Sequence, residues 1–323
     1  MTAWLSEPDA SRIANAFALE FFVRYVRVLS ALVGADVEAA IIFLAILEAN
    51  GRHIVRQPGF AADLADESVA PPGEAPRPIS RQAVAESLGI PRETVRRRVS
   101  DLIERGFLVK TSGGVITTRA VVGGEQFVAA RHLIAAHIRQ LVLDLRQYAG
   151  MPIPGESSSQ DDLNGWLVEP GELRIANALA IEFVLRYARE AAALFGNDYE
   201  GAVIFLTILE INGRQNIRQP WFVRDFADVR ISLPAEMARA ISRQGVAESL
   251  GSPRETVRRK IADLVQKGLL AEAPGGVITT RGVIGGEHFL TAQQHVVGYL
   301  RQFLIGLRQY TEMRPAGEPL DQS

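Results

Sequence analysis

Apolar residues recur at helical spacing over Arg12 to Val33, with Ile13, Phe17, Phe21, Val28 and Leu32 among them. The spacing predicts a long first helix that stops at Gly34. Asp36 is a natural N-cap for a second helix through Ala49, closed at Asn50-Gly51. Its stretch Ala39 to Leu47 is apolar on nearly every face, which places this helix in the middle of a fold. The pattern then breaks down over Arg52 to Pro78, where Pro71, Pro72, Pro76 and Pro78 predict a loop. Ser80 can cap a short helix over Arg81 to Leu88, Gly89 permits a tight turn, and Pro91 opens a helix that runs to Arg105 and stops at Gly106. Phe107 to Thr111 and Val115 to Thr118 read as two short strands around Ser112-Gly113-Gly114. Gly123-Gly124-Glu125 opens a last long helix to Tyr148, with Phe127, Leu133, Ile134, Ile138, Leu141 and Leu145 as its apolar positions.

The whole series is written twice. Residues 4–151 recur without a gap, at a constant offset of 162, as residues 166–313, with about 55% of aligned positions identical. A period this long indicates a repeated domain rather than a solenoid. The expected division is a first unit over 1–151, a linker over 152–165, a second unit over 166–313 and a disordered tail over 314–323. The linker, Pro152 to Gly165, is rich in Pro, Ser, Asp and Gly, and its fourteen residues span up to roughly 45 to 50 Å when extended. That reach lets the two units pair within one chain. The long end helices also allow a further homodimer of the whole chain.

Helix, turn, helix and hairpin in this order form a winged helix. The expected fold class is therefore mainly α with small β wings: tandem winged-helix domains forming an intramolecular pseudo-two-fold dimer. Net charge is −2, so the molecule as a whole is no electrostatic match for nucleic acid. Its distribution is more informative. Arg92, Arg96, Arg97 and Arg98 stand against the single Glu93, and Arg254, Arg258, Arg259 and Lys260 against Glu255. There is no cysteine, which excludes disulfides, thiolate metal sites and cysteine redox sensing. His53, His132, His137, His288 and His295 are unmatched between the copies and lack metal-ligand spacing, so they read as surface or packing residues and no metal or cofactor is expected. Nothing near Met1 reads as a signal peptide, and the apolar runs fall short of the ~18 to 20 residues of a membrane span. A cytoplasmic protein without a membrane partner is expected. No nucleophile motif or phosphate-binding loop appears, so no enzyme is expected.

The stretch from Ile79 through Ser80-Arg81-Gln82, Gly89 and Arg92-Glu93-Thr94-Val95-Arg96-Arg97 resembles the DNA-reading module of the Crp/Fnr family of bacterial transcription regulators. The likeness covers about 40 residues in each copy. It implies that Arg92, Glu93 and Arg97 reach base edges in the major groove, while Ser80, Arg81, Gln82 and Thr94 hold phosphates. The corresponding residues of the second copy are Ser242, Arg243, Gln244, Arg254, Glu255, Thr256, Arg258 and Arg259. Chemistry agrees: arginines such as Arg92, Arg96 and Arg97 can pair bidentately with guanine, glutamate can accept from cytosine, and hydroxyls at helix starts suit phosphate. Val84 and Leu88 facing Val95, Val99 and Leu102 would fix the angle between the two helices. The chain departs from that family in having helices where a cyclic-nucleotide-binding β-barrel would precede the module. Arg98 and Lys260 stand where the family has an apolar residue, which predicts a rotated helix or a more basic site. Helices on both sides of the winged helix are similar in arrangement to the dimeric MarR regulators.

The reading that follows is a sequence-specific regulator of transcription that binds double-stranded DNA at an inverted repeat, with two near-identical recognition helices in one chain. The alternatives are a plasmid-type replication initiator, which usually has diverged halves, and a winged-helix adaptor that binds protein. The wings differ: Lys110 in the first, set to neutralise a flanking phosphate, is Glu272 in the second. Asn15, Glu20, Arg24, Tyr25 and Arg27 recur as Asn177, Glu182, Arg186, Tyr187 and Arg189. Glu20 and Arg24, spaced i, i+4, read as a surface ion pair, with a polar effector pocket lined by Asn15, Glu20, Arg24, Tyr25, Asn177, Glu182, Arg186 and Tyr187 as the alternative. Asn50-Gly51-Arg52 and Arg56-Gln57-Pro58 recur as Asn212-Gly213-Arg214 and Arg218-Gln219-Pro220. Helix termination accounts for the glycines, and flanking phosphate contact would account for the arginines.

Overall fold

A computed structural model of the chain describes residues 11–310 apart from 35, 56–75, 151–165, 230 and 232. The expected linker over 152–165 and tail over 314–323 lie outside the described residues. In the first half the order is α1 (Ser11–Leu32), α2 (Val37–Val55), α3 (Arg81–Leu88), α4 (Arg92–Glu104), β1 (Leu108–Thr111), β2 (Gly114–Thr117), α5 (Arg119–Val122) and α6 (Glu125–Ala149). The second half gives α7 (Pro170–Ala193), α8 (Tyr199–Gly213), α9 (Pro220–Phe226), a 3-10 turn (Ala235–Met237), α10 (Arg243–Leu250), α11 (Arg254–Gln266), β3 (Leu270–Ala273), β4 (Gly276–Thr279), α12 (Arg281–Ile284) and α13 (Glu287–Tyr310). The described residues are mainly helical, with two small antiparallel sheets among them. Among the described residues no single helix is long and apolar enough to cross a membrane.

Each sheet is a two-stranded hairpin, Leu108 opposite Thr117 in one and Leu270 opposite Thr279 in the other. The residue ahead of each short helix adds a bridge to it: Ile79 pairs with Val115, and Ile241 with Val277. Backbones come so close there that Gly114, at φ 139°, admits no side chain, because a Cβ would overlap the Ile79 carbonyl. Gly276 is held in the same way against Ile241. These glycines are required by contact as well as by the turn.

Asp36 caps the second helix as its sequence predicts, accepting from Ala39 N at 2.8 Å. The helix does not end at Asn50-Gly51, however, but runs on to Val55. Asn50 is 2% exposed, and its amide turns away from the helix to bond the wing. In the second half the expected boundary is nearer, since α8 ends at Gly213. The stretch expected to be a loop falls mostly outside the described residues in the first half, and in the second half it contains α9, opened by Pro220.

Ile41 to Leu44 are completely buried in α2, as are Phe205 and Ile208 in α8. Such helices need cover on every side. One side of α2 packs on α3, α4 and β2, and another on α7 of the opposite half. Reciprocally, α8 packs on α10, α11 and β4, and on α1. The long helices exchange too, α1 meeting α13 and α7 meeting α6. Aromatic rings fill the seam: Phe22 stacks on Tyr187 at 4.4 Å between centroids, and Phe21 and Phe183, equivalent in the repeat, sit 5.9 Å apart.

The expected surface pair Glu20–Arg24 does form, but only its Arg24 end reaches solvent. Glu20 is 4% exposed and also accepts from Arg218 of the other half at 2.9 Å, while Arg218 bonds Asp144, itself buried, at 2.6 Å. Arg218 further lies over the Phe17 ring, 5.0 Å from its centroid. One guanidinium thus bridges two buried carboxylates across the seam, with Arg24 as the second cation. Removing one member of a buried network strands its partners in a poorly solvating medium. Arg218→Ala is expected to lower stability by about 3 to 5 kcal/mol in denaturant titration; a loss below about 1 kcal/mol would show the carboxylates to be solvated.

Candidate nucleic-acid interface

In each head two helices meet at a small core. Val84, Leu88, Val95, Val99 and Leu102 are at most 2% exposed, as are Val246, Leu250, Val257, Ile261 and Leu264. The side chain of Ser80 accepts from Ala83 N at 3.0 Å and that of Ser242 from Gly245 N at 3.0 Å, so both serines are helix caps. Gly89 and Gly251, at φ 64° and 65°, turn the chain into the second helix. That geometry leaves Arg92, Glu93, Arg96 and Arg97 exposed on α4, and Arg254, Glu255, Arg258 and Arg259 on α11, with Thr94 and Thr256 half-buried.

These side chains are organised. Arg96 grips Glu93 through two hydrogen bonds of 2.8 and 2.5 Å, and Arg258 grips Glu255 at 2.8 and 2.6 Å. The arginine bond holds each glutamate below its ordinary pKa, so each stays ionised as an acceptor. Gln82 donates to Glu86 at 2.8 Å and Gln244 to Glu248 at 2.7 Å; Arg92 and Arg254 approach the same carboxylates at 3.6 and 3.7 Å. Arg97 and Arg259 form no ion pair among the described residues, which leaves their guanidinium forks open to a ligand.

Arg98 and Lys260 do not add to this face. Arg98 turns back to Asp36 and to Glu38, the latter at 3.0 Å, and Lys260 reaches Asp198 at 2.7 Å. These cations tie the recognition helix to the start of the buried helix behind it, where burial raises the Glu200 pKa and Lys260 opposes the rise.

Asymmetry enters at the wing. Arg243 is ion-paired with Glu272, whereas the equivalent Arg81 and Lys110 are both cations and form no ion pair among the described residues. The first head therefore offers two open positive charges where the second has a neutralised pair.

The arginines following the buried helices are engaged within the chain. Arg52 pairs with Glu48 at 2.5 Å, Arg214 with Glu210 at 2.6 Å, and Arg218 spans the seam; Arg56 lies outside the described residues. The eight residues of the expected effector pocket do not share one cavity. Asn15 and Tyr187 line one space, Tyr25 and Asn177 another, and Glu182 and Arg186 a third, polar one; Glu20 and Arg24 belong to the seam network.

Two groups of supporting residues escaped the sequence reading. Asn50 donates to the Arg77 carbonyl at 2.7 Å and accepts from Thr117 N at 2.9 Å, and Asn212 does the same with Arg239 at 2.6 Å and Thr279 at 3.0 Å. An Asn in a helical pattern beside Gly looks like a stop, so this clamp was hidden. The second group braces the first head from the other half: Tyr199 donates to the Leu88 carbonyl at 2.7 Å, and Arg189 to Ser87 O at 3.0 Å and Ser87 Oγ at 2.9 Å. Val37 is the repeat equivalent of Tyr199 and has no hydroxyl, a difference visible in the sequence.

Residues 73–112 match the IclR helix-turn-helix domain. This chain carries an IclR-type DNA-binding head. The match spans α3, α4 and β1, the segment that presents Arg92 to Arg97 and Lys110. It supports a winged helix-turn-helix regulator of transcription. Searches among curated proteins and solved structures find no significant match to the chain.

Asn50→Ala is expected to cost about 1 to 3 kcal/mol, since it removes the partners of buried amide and carbonyl groups. Hydrogen exchange at β1 and β2 should quicken while α6 stays protected; uniform quickening across the chain would mean that Asn50 supports the whole fold rather than the wing.

Proposed function

We propose that the protein is a sequence-specific regulator of transcription whose single chain binds an inverted-repeat operator in double-stranded DNA, its halves pairing about a pseudo-two-fold axis. The observation that carries this reading is the exchanged packing of the halves combined with an identical Arg-Glu-Thr-Val-Arg-Arg stretch on each head, whose arginines and glutamate are exposed. Contacts that come in exchanged pairs are the pattern of an isologous interface. Two such heads suit half-sites centred about one helical turn apart, ~34 to 36 Å. Arg97 and Arg259 are assigned to base edges because their forks are open, Arg92 and Glu93 with their counterparts to the same groove, and Ser80, Arg81, Gln82, Thr94 and Lys110 to the phosphates. The Arg96–Glu93 and Arg258–Glu255 pairs pre-order the glutamates as acceptors.

The assembly is tested by the mass of the complex on one palindrome. One chain per palindrome is expected; two chains always required would refute internal pairing. Arg97→Ala or Arg259→Ala is expected to cost about 1 to 3 kcal/mol on the operator and much less on random DNA. Equal losses on both would assign these arginines to phosphate.

The wings predict a lopsided grip on a symmetric site. Lys110→Glu should weaken binding and flatten its salt dependence by about one phosphate contact, while Glu272→Lys, which frees Arg243, should strengthen and steepen it. Unchanged affinity at low salt in both variants would remove the wings from the electrostatic account.

A further inference from the structure

A cavity of about 130 Å³ lies where α1 of the first half covers α7, α8 and α13 of the second. Its walls are nearly all apolar, including Leu19, Leu194, Leu206 and Phe289. The equivalent space in the first half, lined by Leu32, Leu44, Phe127 and Asn177 among others, holds only about 10 Å³. The repeat explains the difference. Ala191 in the open cavity corresponds to Leu29 in the closed one, and Gln293 to Arg131. Arg131 is 3% exposed, with its guanidinium 5.8 Å from the Phe127 ring centroid, so a large side chain occupies what Gln293 leaves open.

The polar groups differ in the same sense. In the closed space the Tyr25 hydroxyl donates to Asn177 Oδ1 at 3.4 Å. In the open one the Tyr187 hydroxyl has no hydrogen bond among the described residues, and Gln293 Oε1 is buried without a partner. A buried acceptor left unmade is costly, and it marks where a bound donor belongs. The charged groups at the rim are already engaged: Glu190 with His295 and Tyr299, Glu210 with Arg214, and Arg12 with the carbonyls of Phe226 and Val229. They favour a neutral occupant.

We propose that this cavity is a binding site, one per chain, for a single-ring phenolic molecule, its ring among the apolar walls and its hydroxyl donating to Gln293 Oε1 and accepting from Tyr187. An apolar cavity of about 150 Å³ is known to take a benzene ring, so the volume fits one ring with little to spare. The assignment is independent of the DNA reading, since it rests on the seam and can be tested without DNA.

Calorimetric titration of the full chain with phenol, and with toluene as the same shape lacking the hydroxyl, tests it. Phenol is expected to bind once per chain at about millimolar concentration or below, and toluene about tenfold more weakly. Gln293→Leu should bring the two ligands together, whereas Ala191→Leu, which imports the residue of the closed space, should abolish both. Leu29→Ala combined with Arg131→Gln should open a second site and raise the stoichiometry to two. Thermal melts of each variant identify any that fails to fold, and Gln293→Leu, being nearly isosteric, stands as the control in that event. Absence of saturable phenol binding, or one-to-one binding unchanged in Ala191→Leu, would overturn the site; toluene binding as tightly as phenol to the unaltered chain would overturn the phenolic assignment.

Discussion

The constraint on which the structure turns is that α2 and α8 are apolar all round. A helix of this kind at the surface would expose more apolar area than its head can cover, and at roughly 25 cal/mol per Å² of such surface the penalty is large. The head covers one side only, through its two short helices and the wing. Cover for the rest comes from the first helices of both halves, α1 and α7 each packing on α2 and on α8. Each head is therefore completed by its counterpart, and the relation between the heads is fixed by the core rather than by their connection.

Electrostatics then follow from burial. At a seam made of Phe21, Phe22, Phe183 and Tyr187, a carboxylate survives only with a partner, and Glu20 and Asp144 share Arg218. The same seam keeps His137 uncharged near neutrality, because burial first and the nearby Arg24 and Arg27 second push its pKa down to about 4. On the heads the opposite regime holds. Arg96–Glu93 and Arg258–Glu255 are solvent-exposed pairs, and their contribution is to side-chain order more than to stability.

Much of this was legible from the residues. Ser80, Gly89, Pro91 and Gly106 punctuate the head where the structure begins, turns and ends its helices, because caps and positive-φ turns depend on local chemistry alone. What stayed hidden was decided by tertiary partners. Asn50 reads locally as a stop, yet it bonds a strand 65 residues away in sequence. Glu20 and Arg24 read locally as a solvent pair, and only the approach of Arg218 from the other half makes the Glu20 end internal. Arg98 and Lys260 read as additions to a basic face because nothing in their own helix shows the carboxylates of Asp36 and Asp198 behind it.

Near-identity of the halves also gives meaning to their differences. Where both copies keep a residue on the exposed face of the recognition helix, the simplest requirement is that both heads meet the same ligand. Where they differ, the difference has a physical consequence that can be located: Lys110 against Glu272 sets the charge beside Arg81 and Arg243, Tyr199 against Val37 gives the first head a hydrogen bond the second lacks, and Ala191 against Leu29 leaves one space open and fills the other. None of these changes replaces a side chain of the small cores, Tyr199 reaching only the backbone carbonyl of Leu88, so the heads keep one shape while their surroundings diverge. Two separate identical chains share one sequence, so none of these residue differences could be confined to one of them. A chain that contains both halves can keep the exposed helix faces alike and still confine a charge, a brace or a cavity to one side.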